Sequence, residues 1–475
     1  MIEHTEGRVA AEQRPGAKVW DATAFGAVAD GRAPATAAIQ RVIDVAGEQG
    51  GGRVVLPAGR YRCGTLHLRS HVTLELATGA VLQASRDLAD YAPSRRGKDG
   101  DRHPYHFIVA EGLENVRLCG GGTIDGQGEA FWHAAMPNTW KRGGGGGDAR
   151  PSPMIEVVDC RDVHLHDVSI VNAAGWTLHL HRCDAVVVNG VRIDNDLFGP
   201  NTDGIDINGC HDVCISNCNI RCGDDAIVLK TTEDSRSLER VTVTNCTLRT
   251  NCVALKLGAA ESYHPMRQVT FSNCVAHASH RVVGLYNLRG TTFEDIMISN
   301  IACDTLAGLP LQRPIHIDLR RKDDNDPPGT IRNVSISNFA TRTTGRCLLT
   351  AEAGCRLENV TLRDVMVTMP EVEDPAPLAA EARSVQFSNR SPEARAARAA
   401  VVAENVHRLV IDNLHVSLPE AGAEFDFPLL WGRGLVDGRV SGASITPEPA
   451  GESRYDLQAC SIDVSEAATA KRALK

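Results

Sequence analysis

The sequence predicts an all-β chain that grows as a solenoid of stacked coils, a single-stranded parallel β-helix closed at its N-terminal end by one capping helix. The first observation behind this is a recurring run of apolar, variable, apolar and polar residues followed by Asn or Asp. It occurs as VHLHD ending at Asp167, AVVVN at Asn189, VCISN at Asn217, VTVTN at Asn245 and VTFSN at Asn273, then as IMISN at Asn300, VSISN at Asn338, VTLRD at Asp364 and LVIDN at Asn413. The second is its spacing: successive steps from Asn189 to Asn273 are 28 residues each, and the step to Asn300 is 27. A period in the twenties that contains a strand marks a solenoid, not a sandwich of hairpins. The third is composition. Aromatic residues make up only 4% of the 475 residues while Gly numbers 43, so turns and small apolar residues dominate over bulky core plugs.

Each element follows from this plan. Residues 1–20 are expected as a tail; MIEHTEGRVAAEQRPGAKVW has no apolar core of the kind a signal peptide needs. The β-helix domain is expected over residues 21–465, with loop insertions at about 127–151 and 370–405. Between Pro34 and Gly52, Ile39, Val42, Ile43 and Ala46 share one helical face, with a proline at the start and glycines at the end. An amphipathic helix placed there covers the open edge of the first coil. Residues Ser391 to Val406 also read as helix, inside the second insertion, and Arg142 to Pro151 as a loop whose glycines lack phosphate-loop spacing.

Stacking of coils puts Asn217, Asn245, Asn273 and Asn300 in one file at a corner, where amide-to-amide bonds keep buried polarity satisfied. Cys218, Cys246 and Cys274 form a second file, read as packing. The formal net charge of -9, with acids and bases mixed, offers no basic stripe for nucleic acid. No stretch approaches the roughly 18 apolar residues of a membrane span. Fifteen cysteines, many inside strands, suit a reducing compartment, and a cytoplasmic location is expected. No cofactor or metal is expected, and the oligomeric state is left open.

The chemistry concentrates in GPNTDGIDINGCHDVCISNCNIRCGDDAIVLK, Gly199 to Lys230. Asp203 precedes Asp224 and Asp225 by about one coil, so the three carboxyls land on neighbouring rungs of one face, about 5 Å apart in backbone terms. Carboxyls so close cannot all ionise cheaply, and at least one is expected to hold its proton near neutral pH. An acid beside a base is what cleavage of a glycosidic bond requires. Asp206 and Asp212 are read as turn formers.

NTDGID followed by CGDDAIVLK resembles the signature of glycoside hydrolase family 28, the polygalacturonases and their relatives. The similarity extends through FGAVADG, VVLPAGRY, GTIDGQG and GWTLHLHRC, reaching about Val334. The resemblance implies a right-handed, pectin-lyase-like parallel β-helix, mostly metal-independent, that hydrolyses pectic chains with inversion. It also implies that Asp224 is the general acid, that Asp203 and Asp225 activate water, and that Asn201 supports the site. Two family motifs are absent. Where Gly-His-Gly is expected the chain has Asn251 and Cys252, and where Arg-Ile-Lys is expected it reads VVGLYNLRG, with Tyr286 and Asn287 replacing the cations. Lys256 and Glu261 are the nearest polar substitutes for substrate binding, and weak binding of long homogalacturonan is expected. Of Trp132, Trp140 and Trp176, the last is the candidate to stack on a sugar or to join the core. His179 and His181 are read as facing opposite sides of a strand.

The function expected is therefore a glycosidase acting on pectic or related oligosaccharides, with the two insertions walling one end of the cleft for exo action. Two alternatives stand beside it: a β-helical polysaccharide lyase using calcium and Lys230 or Lys256 as base, and a non-catalytic glycan-binding solenoid.

Overall fold

The computed structural model describes residues 18–94, 102–132, 149–305, 309, 312–372, 391–419, 427–448 and 454–465. Parallel strands stack coil upon coil in a right-handed β-helix. Among the described residues, thirteen strands form one wall, running in strict parallel order from Leu66–His67 to Tyr455–Gln458. A 24-stranded sheet forms the rest. In early coils it consists of two separate files, such as His211–Ser216 and Asn219–Cys222. In later coils the two fuse into long bent strands such as Met266–Ser279, which pairs with both Leu238–Thr244 and Thr247–Thr250.

Alternation along the thirteen-stranded wall decides what faces where. Leu178 and Leu180, Ile205 and Ile207, Ile227 and Leu229, and Leu255 and Leu257 point into one continuous core and are fully buried. Burial of each such side chain is worth roughly 1.5–3 kcal/mol. The residues between them point outward, and these carry the polar groups of the wall: Glu156, His179 and His181, Asp206 and Asn208, Lys230, Lys256, Tyr286, His316 and Asp318. His179 and His181 are two residues apart and therefore share this outer face, with ring centroids 5.6 Å apart, which corrects the expectation of opposite sides.

The asparagine file forms as expected but on the surface. Asn217, Asn245, Asn273 and Asn300 are exposed, each with φ between 53° and 56°, the left-handed conformation that asparagine tolerates better than most residues. Asn217 donates to Asn189 Oδ1 at 2.8 Å and Asn300 to Asn273 Oδ1 at 2.9 Å, while Asn273 turns aside to Thr244 Oγ1 at 3.3 Å, and these bonds fix the corner. Behind it Cys218, Cys246 and Cys274 are buried, each thiol donating to a backbone carbonyl.

Helix α1, Thr36–Glu48, buries Ala38, Ile39, Val42, Ile43 and Ala46 against the strands of the first coils, as the sequence requires of a cap. The helix expected over Ser391 to Val406 shrinks to α2, Pro392–Ala396, and Val401–Glu404 is a strand paired with Cys347–Thr350. Two β-branched residues at Val401 and Val402 meeting an open parallel edge outweigh the helical composition upstream. The glycine-rich loop, Trp140 and the N-terminal tail to residue 17 lie outside the described residues.

Candidate active site

Two corners of the coil, one rung apart, build the site. The loop Asp196 to Asp203 is tied by Thr202, whose hydroxyl donates to the carbonyls of Asp196 and Gly199 and accepts from the N–H of Gly223 at 3.0 Å. A Cβ at Gly223 would come within 2.7 Å of that hydroxyl and 2.8 Å of the Asp196 carbonyl, so only glycine lets the two corners close. Asn201 sits in this loop at φ 51°, partly buried. In the ladder, Thr177 N–H donates to the Asp203 carbonyl and Gly204 N–H to the Asp225 carbonyl, at 3.0 and 2.8 Å. Asp203 and Asp225 thus occupy neighbouring rungs, and the one-coil spacing brings all three aspartates together.

All three are buried. Burial, followed by the nearby Asp206 and Asp224, pushes the Asp203 carboxyl well above the ordinary carboxylate range, with Lys230 opposing. Lys230 lies 2.6 Å from Asp206 and 3.7 Å from Asp203, and its ammonium rests 3.7 Å from the centre of the Trp176 ring. Burial works against its charge, but Asp206 and Asp203 prevail and hold it above the ordinary lysine range. Asp206, read from the sequence as a turn former, is instead a fully buried strand residue and the principal partner of that lysine. Asp212 is likewise a strand residue and not a turn former: it sits in His211–Ser216 at a left-handed φ of 57°, paired at the surface with Arg240 at 2.6 Å.

On the next rung Lys256 Nζ donates to Asp225 Oδ2 at 2.5 Å, and the Val253 N–H approaches Asp225 Oδ1 at 3.3 Å. Asp225, Asp224 and Cys252 each bring one ligand atom to within 4.8 Å of the others. A thiol pushed up by burial and two carboxyls, one already holding an ammonium, make a poor set for calcium, which takes six to eight oxygens. The Asp224–Asp225 approach is also shorter than the roughly 6.5–9.5 Å usual between acid and base in inverting glycosidases, so this spacing does not carry the expectation of inversion.

The missing cationic motif has a structural counterpart. Register places Lys256 beside Gly284 and Gly258 beside Tyr286. The Tyr286 ring folds over Gly284, where a Cβ would lie 2.5 Å from it, and its hydroxyl meets His316 Nδ1 at 3.2 Å. Arg281, one residue before VVGLYNLRG, is buried and interacts with Tyr286, Cys252 and Asp225. Sequence reasoning missed it, along with Glu156, whose carboxylate is held by Arg102 at 2.9 Å and His179 at 2.8 Å. A buried Glu at a strand position beside histidines was the available signal. Trp176 is 6% exposed and one ring face is covered by Lys230. Glu261 lines a cavity of about 460 Å³ with Arg102, Thr232, Glu233, Tyr263 and Lys322. Trp132 lies against Gly199 and donates from Nε1 to the Ala174 carbonyl at 2.9 Å, which seats the start of the first insertion beside the site.

Residues 51–376 match the family described as glycosyl hydrolases family 28. The chain belongs to glycosyl hydrolases family 28. It is 33% identical to a probable polygalacturonase of Vitis vinifera over 221 residues, 44% of each chain. The chain therefore spans less than half the length of that relative. Among solved structures it resembles an exopolygalacturonase from Thermotoga maritima, with TM-score 0.62, 21% identity and coverage of 84% of this chain and 91% of that one. A family 28 exopolygalacturonase from Yersinia enterocolitica gives TM-score 0.61 at 17% identity, covering 94% and 78%. These two share the fold. No helix among the described residues is long and apolar enough to cross a membrane.

Proposed function

We propose that this family 28 chain hydrolyses the glycosidic bonds of short pectic or related oligosaccharides. The observation that carries the reading is the convergence of Asp203, Asp224 and Asp225 on neighbouring rungs of one wall. In the proposed reaction Asp224 gives its proton to the leaving glycosidic oxygen as the anomeric C–O bond breaks. A water attacks the anomeric carbon and loses a proton to the carboxylate pair of Asp203 and Asp225, and exchange with solvent restores both states. Asn201 supports the loop, and Glu261 together with the adjacent cavity offers polar groups to a sugar outside the cleavage point.

The lyase reading needs a neutral amine to take a proton. Both candidate bases, Lys230 and Lys256, are instead buried ammonium groups held above the ordinary lysine range by carboxylates. Support for a blocked cleft and exo action comes from Trp132, near the start of the first insertion, whose ring lies against Gly199 of the catalytic loop. Support for a reducing compartment comes from the cysteine files, whose thiols donate to carbonyls. Incubation with a panel of short pectic and neutral oligosaccharides, read by product mass, tests the function. Cleavage of a uronate-containing member is the expected outcome, and binding without turnover across the panel would leave a glycan-binding solenoid in its place.

A further inference from the structure

The carboxylates on neighbouring rungs are not equivalent. Asp225 is clasped on both oxygens, by the Lys256 ammonium at 2.5 Å and the Val253 N–H at 3.3 Å. Asp203 has one oxygen, Oδ1, buried with no hydrogen-bond partner, and Lys230 stands 3.7 Å from this carboxyl while forming a closer ion pair with Asp206 at 2.6 Å. The groups that act on Asp225 come from every rung around it. Asp203 and Asp206 lie before it, Asp224 and Cys222 on its own coil, Cys252 and Lys256 after it, and Arg281 and Tyr286 one rung further. Within this crowd of acids, Lys256 is the cation in direct contact with it.

We propose that Lys256 is a positioning residue that keeps the Asp225 carboxylate charged and aimed, so that Asp225 is the member of the pair that takes the proton from the attacking water. The inference rests on the hydrolase reading above and adds the assignment of the working base. Lys256 itself transfers no proton. A buried carboxylate stripped of its cation is left uncompensated, and it escapes by binding a proton. Lys256 projects from the outer face of its strand beside Gly284, and the Tyr286 ring fills the space above that glycine. The high-lying Asp203 carboxyl agrees with this division of labour.

The test uses the full chain, Lys256→Met and Lys256→Arg, with kcat/KM followed against pH on whichever panel oligosaccharide the native protein cleaves. An opposite charge within ~4–6 Å moves a titrating group by about 1–3 pH units. The acidic limb should therefore rise by about one unit or more in Lys256→Met and return most of the way in Lys256→Arg. A limb that stays put while kcat/KM falls equally at all pH values would overturn the proposal, since that is the mark of a structural role. Should Lys256→Met fail to fold, Lys256→Gln removes the charge while keeping a donor. NMR on the native protein gives a readout independent of any activity. The Lys256 ammonium should remain protonated beyond the ordinary lysine range, and titration below it would refute the pairing. If no oligosaccharide is cleaved, the hydrolase reading fails while this NMR result still judges the pair.

Discussion

Asp203 and Asp225 are the same residue type one rung apart, and their surroundings separate them. Burial, with Asp206 and Asp224 nearby, holds the Asp203 carboxyl above the ordinary range, so it gives up its proton less readily than a free carboxyl. Asp225→Asn removes the proposed base and should cost at least ~10²-fold in kcat, and Asp203→Asn should cost less than that. The sign of the pH effect follows. A carboxyl raised by folding contributes stability that is complete below its unfolded value and is lost as pH rises through its folded value. Raising the pH puts another negative charge into the cluster, so stability declines on the alkaline side, and Asp203→Asn should flatten that decline in thermal melts taken across pH. Equal loss of activity in the two Asn variants would show that the carboxyls work as a symmetric pair. This asymmetry was only half legible in the sequence. Spacing foretold that three carboxyls would meet and that one would hold its proton. Which one depended on Lys230 and Lys256, and those side chains could be placed only with the register known. Asp206 reads as a turn former because NTDGID looks like a corner, yet the last two residues of that motif already belong to the strand.

At the scale of single elements, the corners and the outer face of the wall carry different physics. Each corner asparagine combines a left-handed φ with a ladder bond. Asn300→Ala loses both, since Ala tolerates that conformation poorly and the amides of Asn273 and Asn338 lose a partner. A cost of roughly 1–2 kcal/mol is expected from these terms, read as a lower midpoint in urea; an unchanged midpoint would mean that the ladder is ornamental. On the wall, Gly284→Ala forces the Tyr286 ring off its seat and away from His316. We expect a lower melting temperature together with impaired turnover, whereas Tyr286→Phe, which keeps the ring and drops only the hydroxyl, should melt close to the native protein. A native-like Gly284→Ala would contradict the packing described. The strand template was legible because a period of two within a period near 28 leaves little choice of inward face. With Tyr286 and Asn287 in place of the Arg-Ile-Lys cations, the sequence offers only Lys256 and Glu261 as substitutes, because a motif scan cannot see a ring lying over a glycine or a cation, Arg281, entering from just outside the motif.

Across the whole molecule, a solenoid stabilises itself coil by coil, so its ends and insertions are where specificity can be altered without disturbing the core. Helix α1 closes one end, and it was readable because a 3.6-residue apolar period interrupts a chain otherwise patterned for strands. α2 was over-extended because alanine-rich composition says nothing about the sheet edge that recruits Val401 to Glu404. If the first insertion walls the cleft, a labelled oligosaccharide of about six sugars should release one small product from the earliest time points, as insertions of this length beside a site usually act as lids or walls. A spread of intermediate lengths at early times would show an open cleft and endo action. The claim on which everything else depends is that the three aspartates hydrolyse a glycosidic bond. Turnover of the cleaved oligosaccharide in heavy-oxygen water, with products weighed, tests it most directly. The account predicts one heavy oxygen at each new reducing end with the native chain, and a loss of at least ~10²-fold in Asp224→Asn folded like the native protein. Unsaturated products without the label, or undiminished labelling by Asp224→Asn, would contradict it.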